Sequence, residues 1–172
     1  MTRFFKRAAV GALFAAIALA TPAFAQDVTV GSLTLSNLWA RATPPGAPTG
    51  AGYLIITNHG SDADTLTAVS TPAAEVGELH IMEVKDGIMT MHPVEGGIVI
   101  PAGATVTLAP GGYHLMFVRL KHDLKQGEEL PVTLTFTKAG TVETMLPIMP
   151  IGSKGPAGGG MQMDHGEMGQ GK

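Results

Sequence analysis

The chain has 172 residues, no cysteine, 45% hydrophobic residues and a formal net charge of −3. Without a thiol it cannot form disulfides, thiolate metal sites, blue-copper centres or thiol nucleophiles, all of which need the sulfur atom. An acidic balance with no basic run also lacks the electrostatic footprint of a nucleic-acid or anionic-lipid binder.

In chain order, the first 25 residues read as an export signal. Arg3, Lys6 and Arg7 form a positive start, residues 8–20 are an uninterrupted apolar run, and Ala23-Phe24-Ala25 supplies the small-x-small pattern for cleavage. An apolar run of that length is shorter than the roughly 17–25 residues needed to span hydrocarbon. The expectation is therefore a periplasmic protein cleaved after Ala25 and not membrane-embedded. Losing those three basic residues leaves 8 Lys+Arg against 14 Asp+Glu, a formal charge of −6. The remaining length suits one domain with a sizeable core.

Residues 26–150 read as a β-domain. Short runs rich in Val, Ile, Leu and Thr predict strands at 28–34, 36–42, 50–58, 64–70, 78–84, 87–93, 97–100, 104–108, 112–119, 131–138 and 140–147. Turn signals such as Asn58-His59-Gly60 and Pro110-Gly111-Gly112 separate them, and Lys138-Ala139-Gly140 reads as the turn of a final hairpin. Apolar residues do not recur at the helical period over three turns anywhere after the signal. This spacing predicts an all-β, Greek-key β-sandwich. Residues 151–172 change character: a Gly-rich linker (152–160) leads to a disordered tail, Met161-Gln-Met-Asp-His-Gly-Glu-Met168, too polar to pack a core.

Three segments place soft-metal ligands two residues apart: His80-Ile81-Met82, Met89-Thr90-Met91 and His114-Leu115-Met116. In a strand, residues i and i+2 share a face, so each segment offers two ligands on one side. Leu79, Ile81, Tyr113, Leu115 and Phe117 alternate with them and want the core, which leaves the His/Met faces free to point elsewhere. His92 has the wrong parity to join Met89 and Met91. His59 and His122 read as surface residues, and Met145 and Met149 as structural. Thioether sulfur is soft and uncharged and imidazole is borderline, so such a set favours Cu(I) over zinc, calcium or magnesium.

The wider pattern resembles the PCu(A)C family of periplasmic copper chaperones. The resemblance runs through Trp39-Ala-Arg-Ala-Thr-Pro-Pro-Gly-Ala-Pro-Thr49, Gly52-Tyr53, Glu78-Leu-His80, Pro93-Val-Glu-Gly-Gly97, Ile100-Pro-Ala-Gly103 and Pro110-Gly-Gly-Tyr-His-Leu-Met116. His80 and Met91 are separated by ten residues; Met91 and His114 are separated by twenty-two, one more than the family pattern. The resemblance implies a cupredoxin-like sandwich in which His80, Met91, His114 and Met116 ligate Cu(I). Met82 and Met89 fall outside the family positions, although parity allows either to substitute. It further implies a non-enzymatic carrier that delivers copper towards the binuclear site of cytochrome c oxidase subunit II, beside a Sco-type thiol protein. In the tail, Met161, Met163, His165 and Met168 read as a second, looser site, open to Cu(II) through His165 and the neighbouring carboxylates. Two other roles fit the same residues: a periplasmic copper buffer serving resistance, and a metal-free sandwich acting as an interaction module.

Overall fold

The computed structural model describes residues 27–156. Within it the chain forms eleven strands: β1 (Val28–Val30), β2 (Leu33–Arg41), β3 (Thr49–Asn58), β4 (Asp64–Ser70), β5 (Ala74–Lys85), β6 (Ile88–Pro93), β7 (Ile98–Ile100), β8 (Thr105–Leu108), β9 (Tyr113–Leu120), β10 (Glu129–Phe136) and β11 (Gly140–Met149). Each coincides with an expected strand to within a few residues. The one displaced break lies at the start. The β-favouring run that begins at Val28 predicts a strand through residue 34, but the chain reverses at Gly31-Ser32, where the apolar parity shifts, and β1 folds back onto β2 with Val30 opposite Leu33. Gly31 adopts φ +56°, a conformation that L side chains rarely take, so a glycine inside a β-type pattern marks a turn here.

The strands lie in the order β6-β5-β9-β3-β2-β11-β10-β4-β7, with β1 added on β2 and β8 on β3. One layer holds β6, β5, β9, β3 and β2; the other holds β11, β10, β4 and β7. The chain passes between layers after β3, β4, β6, β7 and β9, the interleaved connectivity of a Greek-key sandwich. β11 belongs to both layers. It pairs antiparallel with β10, then meets β2 in parallel through Ile148–Ala40 and Met149–Arg41.

Alternate residues of each strand fill the space between the layers: Leu33 and Leu35 of β2, Leu54 and Ile56 of β3, Leu115 and Phe117 of β9, and Leu130, Val132, Leu134 and Phe136 of β10. Fully burying such a side chain stabilises by about 1.5–3 kcal/mol, enough for a domain without cross-links. One buried carboxylate has a structural task. Asp64 accepts the backbone N–H groups of Thr65 (2.7 Å), Lys138 and Ala139 (both 2.8 Å), tying the β10–β11 turn to the start of β4. Burial alone would raise the Asp64 carboxyl; the three amides and the Lys138 charge outweigh it and hold the group below the ordinary carboxylate range. Among the described residues no helix is long and apolar enough to cross a membrane. The expected signal (1–25) and the Met/His-rich tail lie outside the described residues.

Candidate metal centre

β5 is the spine of the site, with β6 on one side and β9 on the other. Its path is set early, at Gly77: a side chain there would put its first carbon 2.2 Å from the Val69 carbonyl oxygen, so only glycine lets β5 pass β4 so closely. The register with β6 is set by the turn Asp86-Gly87, whose residues have φ of +53° and +77°. Positive φ at both positions of a two-residue loop is the twist-matched hairpin geometry that Asp-Gly favours. It places Met82 opposite Met91 and Met89 opposite Val84. On the other flank His80 stands opposite His114, and Glu78 opposite Met116. The four family ligands, His80, Met91, His114 and Met116, thus share one face of three adjacent strands.

Both imidazoles are buried and each has one ring nitrogen committed. His80 Nε2–H donates to Glu78 Oε2 at 2.8 Å, and His114 Nδ1–H donates to the Gly112 carbonyl at 3.0 Å. A donor tied to a carboxylate or carbonyl fixes the tautomer and turns the other nitrogen into a lone-pair donor, the arrangement found behind metal-bound histidines. On His80 that other atom, Nδ1, is buried and has no hydrogen-bond partner among the described residues. An unpartnered buried acceptor costs about 1–3 kcal/mol, and a metal ion would relieve it. The ring centroids of His80 and His114 are 5.8 Å apart. Burial depresses the His114 pKa, the Gly112 carbonyl opposes this, and the His80 ring adds to the depression. The His114 imidazole is therefore neutral at pH 7.

The face opens into a cavity of about 390 Å³ bordered by Met82, Met91, His114, Met116, Tyr53 and Arg41. Among the described residues that line it none is Asp or Glu, and no group of three His, Asp or Glu side chains stands close enough to hold a metal. Among these described lining residues Arg41 carries the one charge. Its guanidinium lies 5.5 Å from the Tyr53 ring centroid and 5.8 Å from that of Trp39, and Nη2 donates to the Ser153 carbonyl at 2.9 Å. That last contact holds the segment after β11 against the cavity rim, where a free linker was expected from residue 152. Trp39 and Tyr53 stack at 4.4 Å between centroids, and Tyr53 lies 6.5 Å from His114, so a row of rings walls the site. Burial raises the Tyr53 phenol and the Arg41 charge opposes it, so Tyr53 stays neutral.

The histidine face was expected to be free of packing. Instead His80 and His114 are only 7% and 6% exposed. His92 falls on the opposite face, opposite Ile81, as its parity requires. His59 and His122 are exposed, and Met145, read as structural, is 44% exposed on β11. Met89 is 64% exposed near the hairpin tip and does not line the cavity. Sequence reasoning assigned no role to Glu78 or Gly112. Each lies two residues before a histidine on the same strand face or its extension, a parity signal that could have found them. Met161, Met163, His165 and Met168 lie outside the described residues.

Solved PCuAC domains superpose on this chain. The copper-bound PCuAC domain from PmoF2 is 26% identical with a TM-score of 0.63, covering 73% of this chain and 98% of that one. The apo PCuAC domain from PmoF1 is 28% identical with a TM-score of 0.62, covering 73% and 99%. CuI-DR1885 from Deinococcus radiodurans is 30% identical with a TM-score of 0.52, covering 76% and 85%. The chain belongs to the LpqE-like family, "Putative lipoprotein LpqE-like", whose model matches residues 33–148. A relative, "Putative lipoprotein Lxx21020" of Leifsonia xyli subsp. xyli, is 34% identical over 114 residues, covering 66% of this chain and 68% of that protein.

Proposed function

We propose that this protein is an exported copper chaperone that holds Cu(I) with His80, Met91, His114 and Met116 and passes it to an acceptor. The observation that carries this reading is the pair of facing, buried imidazoles, one with a lone pair that finds no partner among the described residues. The donor chemistry selects the ion. Two neutral imidazoles and neutral thioethers bring no negative charge, the nearby Glu78 carboxylate is committed to His80, and Arg41 adds a positive charge, so a monovalent soft cation is favoured over a divalent hard one. Relatives solved with copper support the same cargo.

Glu78 and Gly112 orient the rings, the row from Trp39 to His114 excludes water from the inner side, and the methionines face the cavity. Without a thiolate the site gives up Cu(I) by stepwise ligand exchange to a thiolate-bearing acceptor. We propose that the acceptor is a Sco-type protein or cytochrome c oxidase subunit II, and that the protein acts in the periplasm after cleavage at Ala25. Although the family is described as lipoprotein-like, these 172 residues contain no cysteine to which a thioether-linked lipid could attach.

Cu(I) titration against a competing chelator tests the site. Met116→Leu and His114→Ala should each weaken binding by at least about tenfold, the low end of what even changes around ligands cause; unchanged affinity in both would overturn it. The tail residues Met161, Met163, His165 and Met168 form a proposed second, weaker site, with Cu(II) held through His165. Ending the chain after Pro156 should then lower copper stoichiometry from two ions to one, and equal stoichiometry would remove the tail from the account.

A further inference from the structure

The family ligand set leaves one thioether of the cavity unused. We propose that Met82 is an alternate ligand that exchanges with Met91 for the same coordination position, so that the cavity side of the site is a two-thioether relay; this rests on the Cu(I) reading above. Met82 and Met91 are direct cross-strand partners in the β5–β6 hairpin. Side chains so placed start about 4.5–5.5 Å apart at Cβ, and methionine's three rotatable bonds let either sulfur sweep the same space. Both border the cavity with His114 and Met116, whereas His80 does not line it and Met89, two cross-strand pairs nearer the turn, does not reach it.

A second observation fixes Met82 to the site. Its backbone N–H donates to the Gly112 carbonyl at 3.1 Å, the same oxygen that takes the His114 Nδ1–H at 3.0 Å. One acceptor therefore sets both the position of Met82 on β5 and the direction of the His114 ring on β9. Met82 is half-buried and Met91 is 47% exposed. The pair thus offers an inner and an outer sulfur for one coordination position. An ion held from behind by His80, His114 and Met116 can take its fourth donor from either, and an incoming acceptor ligand can displace the outer one without freeing the ion.

The test is a double-mutant cycle with Met82→Leu and Met91→Leu, which keep bulk and remove sulfur, read by Cu(I) competition and by X-ray absorption on the Cu(I)-loaded full chain. Met91→Leu alone should weaken binding by less than about tenfold and keep two sulfur neighbours on copper. The double variant should weaken it by about 100-fold or more, beyond the product of the single changes, and drop to one sulfur. A Met91→Leu protein that already shows one sulfur and the full loss of the double variant would overturn the relay and leave the Cu(I) site standing. A double variant that binds like wild type, with Met116→Leu and His114→Ala also unaffected, would overturn the site reading and the relay together. Circular dichroism of each apo variant checks folding, and the sulfur count of single variants that stay folded decides the question if the double variant does not.

Discussion

Replacing Glu78 isolates the orienting contact from the ligands themselves. Its carboxylate accepts the His80 Nε2–H at 2.8 Å, and the glutamate side chain is 40% exposed while that of His80 is 9% exposed. Glu78→Ala removes the acceptor, frees the ring to rotate and leaves Nε2–H without its partner. Loss of such a partner behind a metal-bound histidine costs about 10–100-fold in affinity, which is about 1.4–2.8 kcal/mol. Glu78→Gln keeps an acceptor oxygen but no charge, so it should fall between wild type and Ala. Apo stability should change by less than about 1 kcal/mol, because a half-exposed partner is replaced by water. The assay is Cu(I) competition with a chelator, run beside thermal unfolding of the apo proteins. Wild-type affinity in a folded Glu78→Ala protein would refute the argument that His80 binds through Nδ1 with Nε2 held.

Two further outcomes follow from the charged and titrating groups. Because burial depresses the His114 pKa, its imidazole stays neutral below the ordinary histidine value of about 6.5. The His114 contribution to Cu(I) affinity should accordingly hold near neutrality and fall as pH drops through the depressed value; its contribution to apo stability should begin to fall earlier, below about 6.5, where the unfolded chain takes up a proton that the folded one refuses. A competition series across mildly acidic pH measures the first and urea unfolding the second. Asp64→Ala strands three backbone amides and should cost about 3 kcal/mol or more in urea unfolding while leaving Cu(I) affinity unchanged; in the wild type, the stability from this depressed carboxylate is present above about pH 4 and is lost as pH falls through its folded value.

The strands were legible because alternation and turn residues are local properties. Leu115 and Phe117 face the core because their neighbours His114 and Met116 do not, and sequence parity states this without coordinates. The reversal at Gly31 was missed although the apolar parity shifts there, from Val28 and Val30 to Leu33 and Leu35; the unbroken run of β-favouring residues on either side hid that signal, and the positive φ of the glycine confirms the turn. Within the site, the three pairs of ligands could be read from i, i+2 spacing, but their assembly could not. The facing of His80 and His114 depends on β5 and β9 being neighbours, a non-local fact. The burial of His114 beside Tyr53 depends on β3 arriving next to β9, which is equally non-local. The roles of Glu78 and Gly112 needed ring orientation, which spacing does not carry.

The hairpin geometry separates the two gaps in the ligand pattern into a stiff one and a soft one. Ten residues lie between His80 and Met91, and they run through a two-residue turn that sets every pairing from Lys85–Ile88 back to His80–Pro93. Adding a single residue there would move Met91 to the opposite side of the sheet, where His92 now lies. The twenty-two residues between Met91 and His114 carry no such burden. They leave the layer, form β7, return through β8, and re-enter at β9, whose alignment is fixed by its own bonds to β5. The one extra residue that the resemblance implies falls in that excursion and leaves the candidate ligands sharing one face. Sequence searches for this kind of centre should hold the first interval constant and let the second one vary.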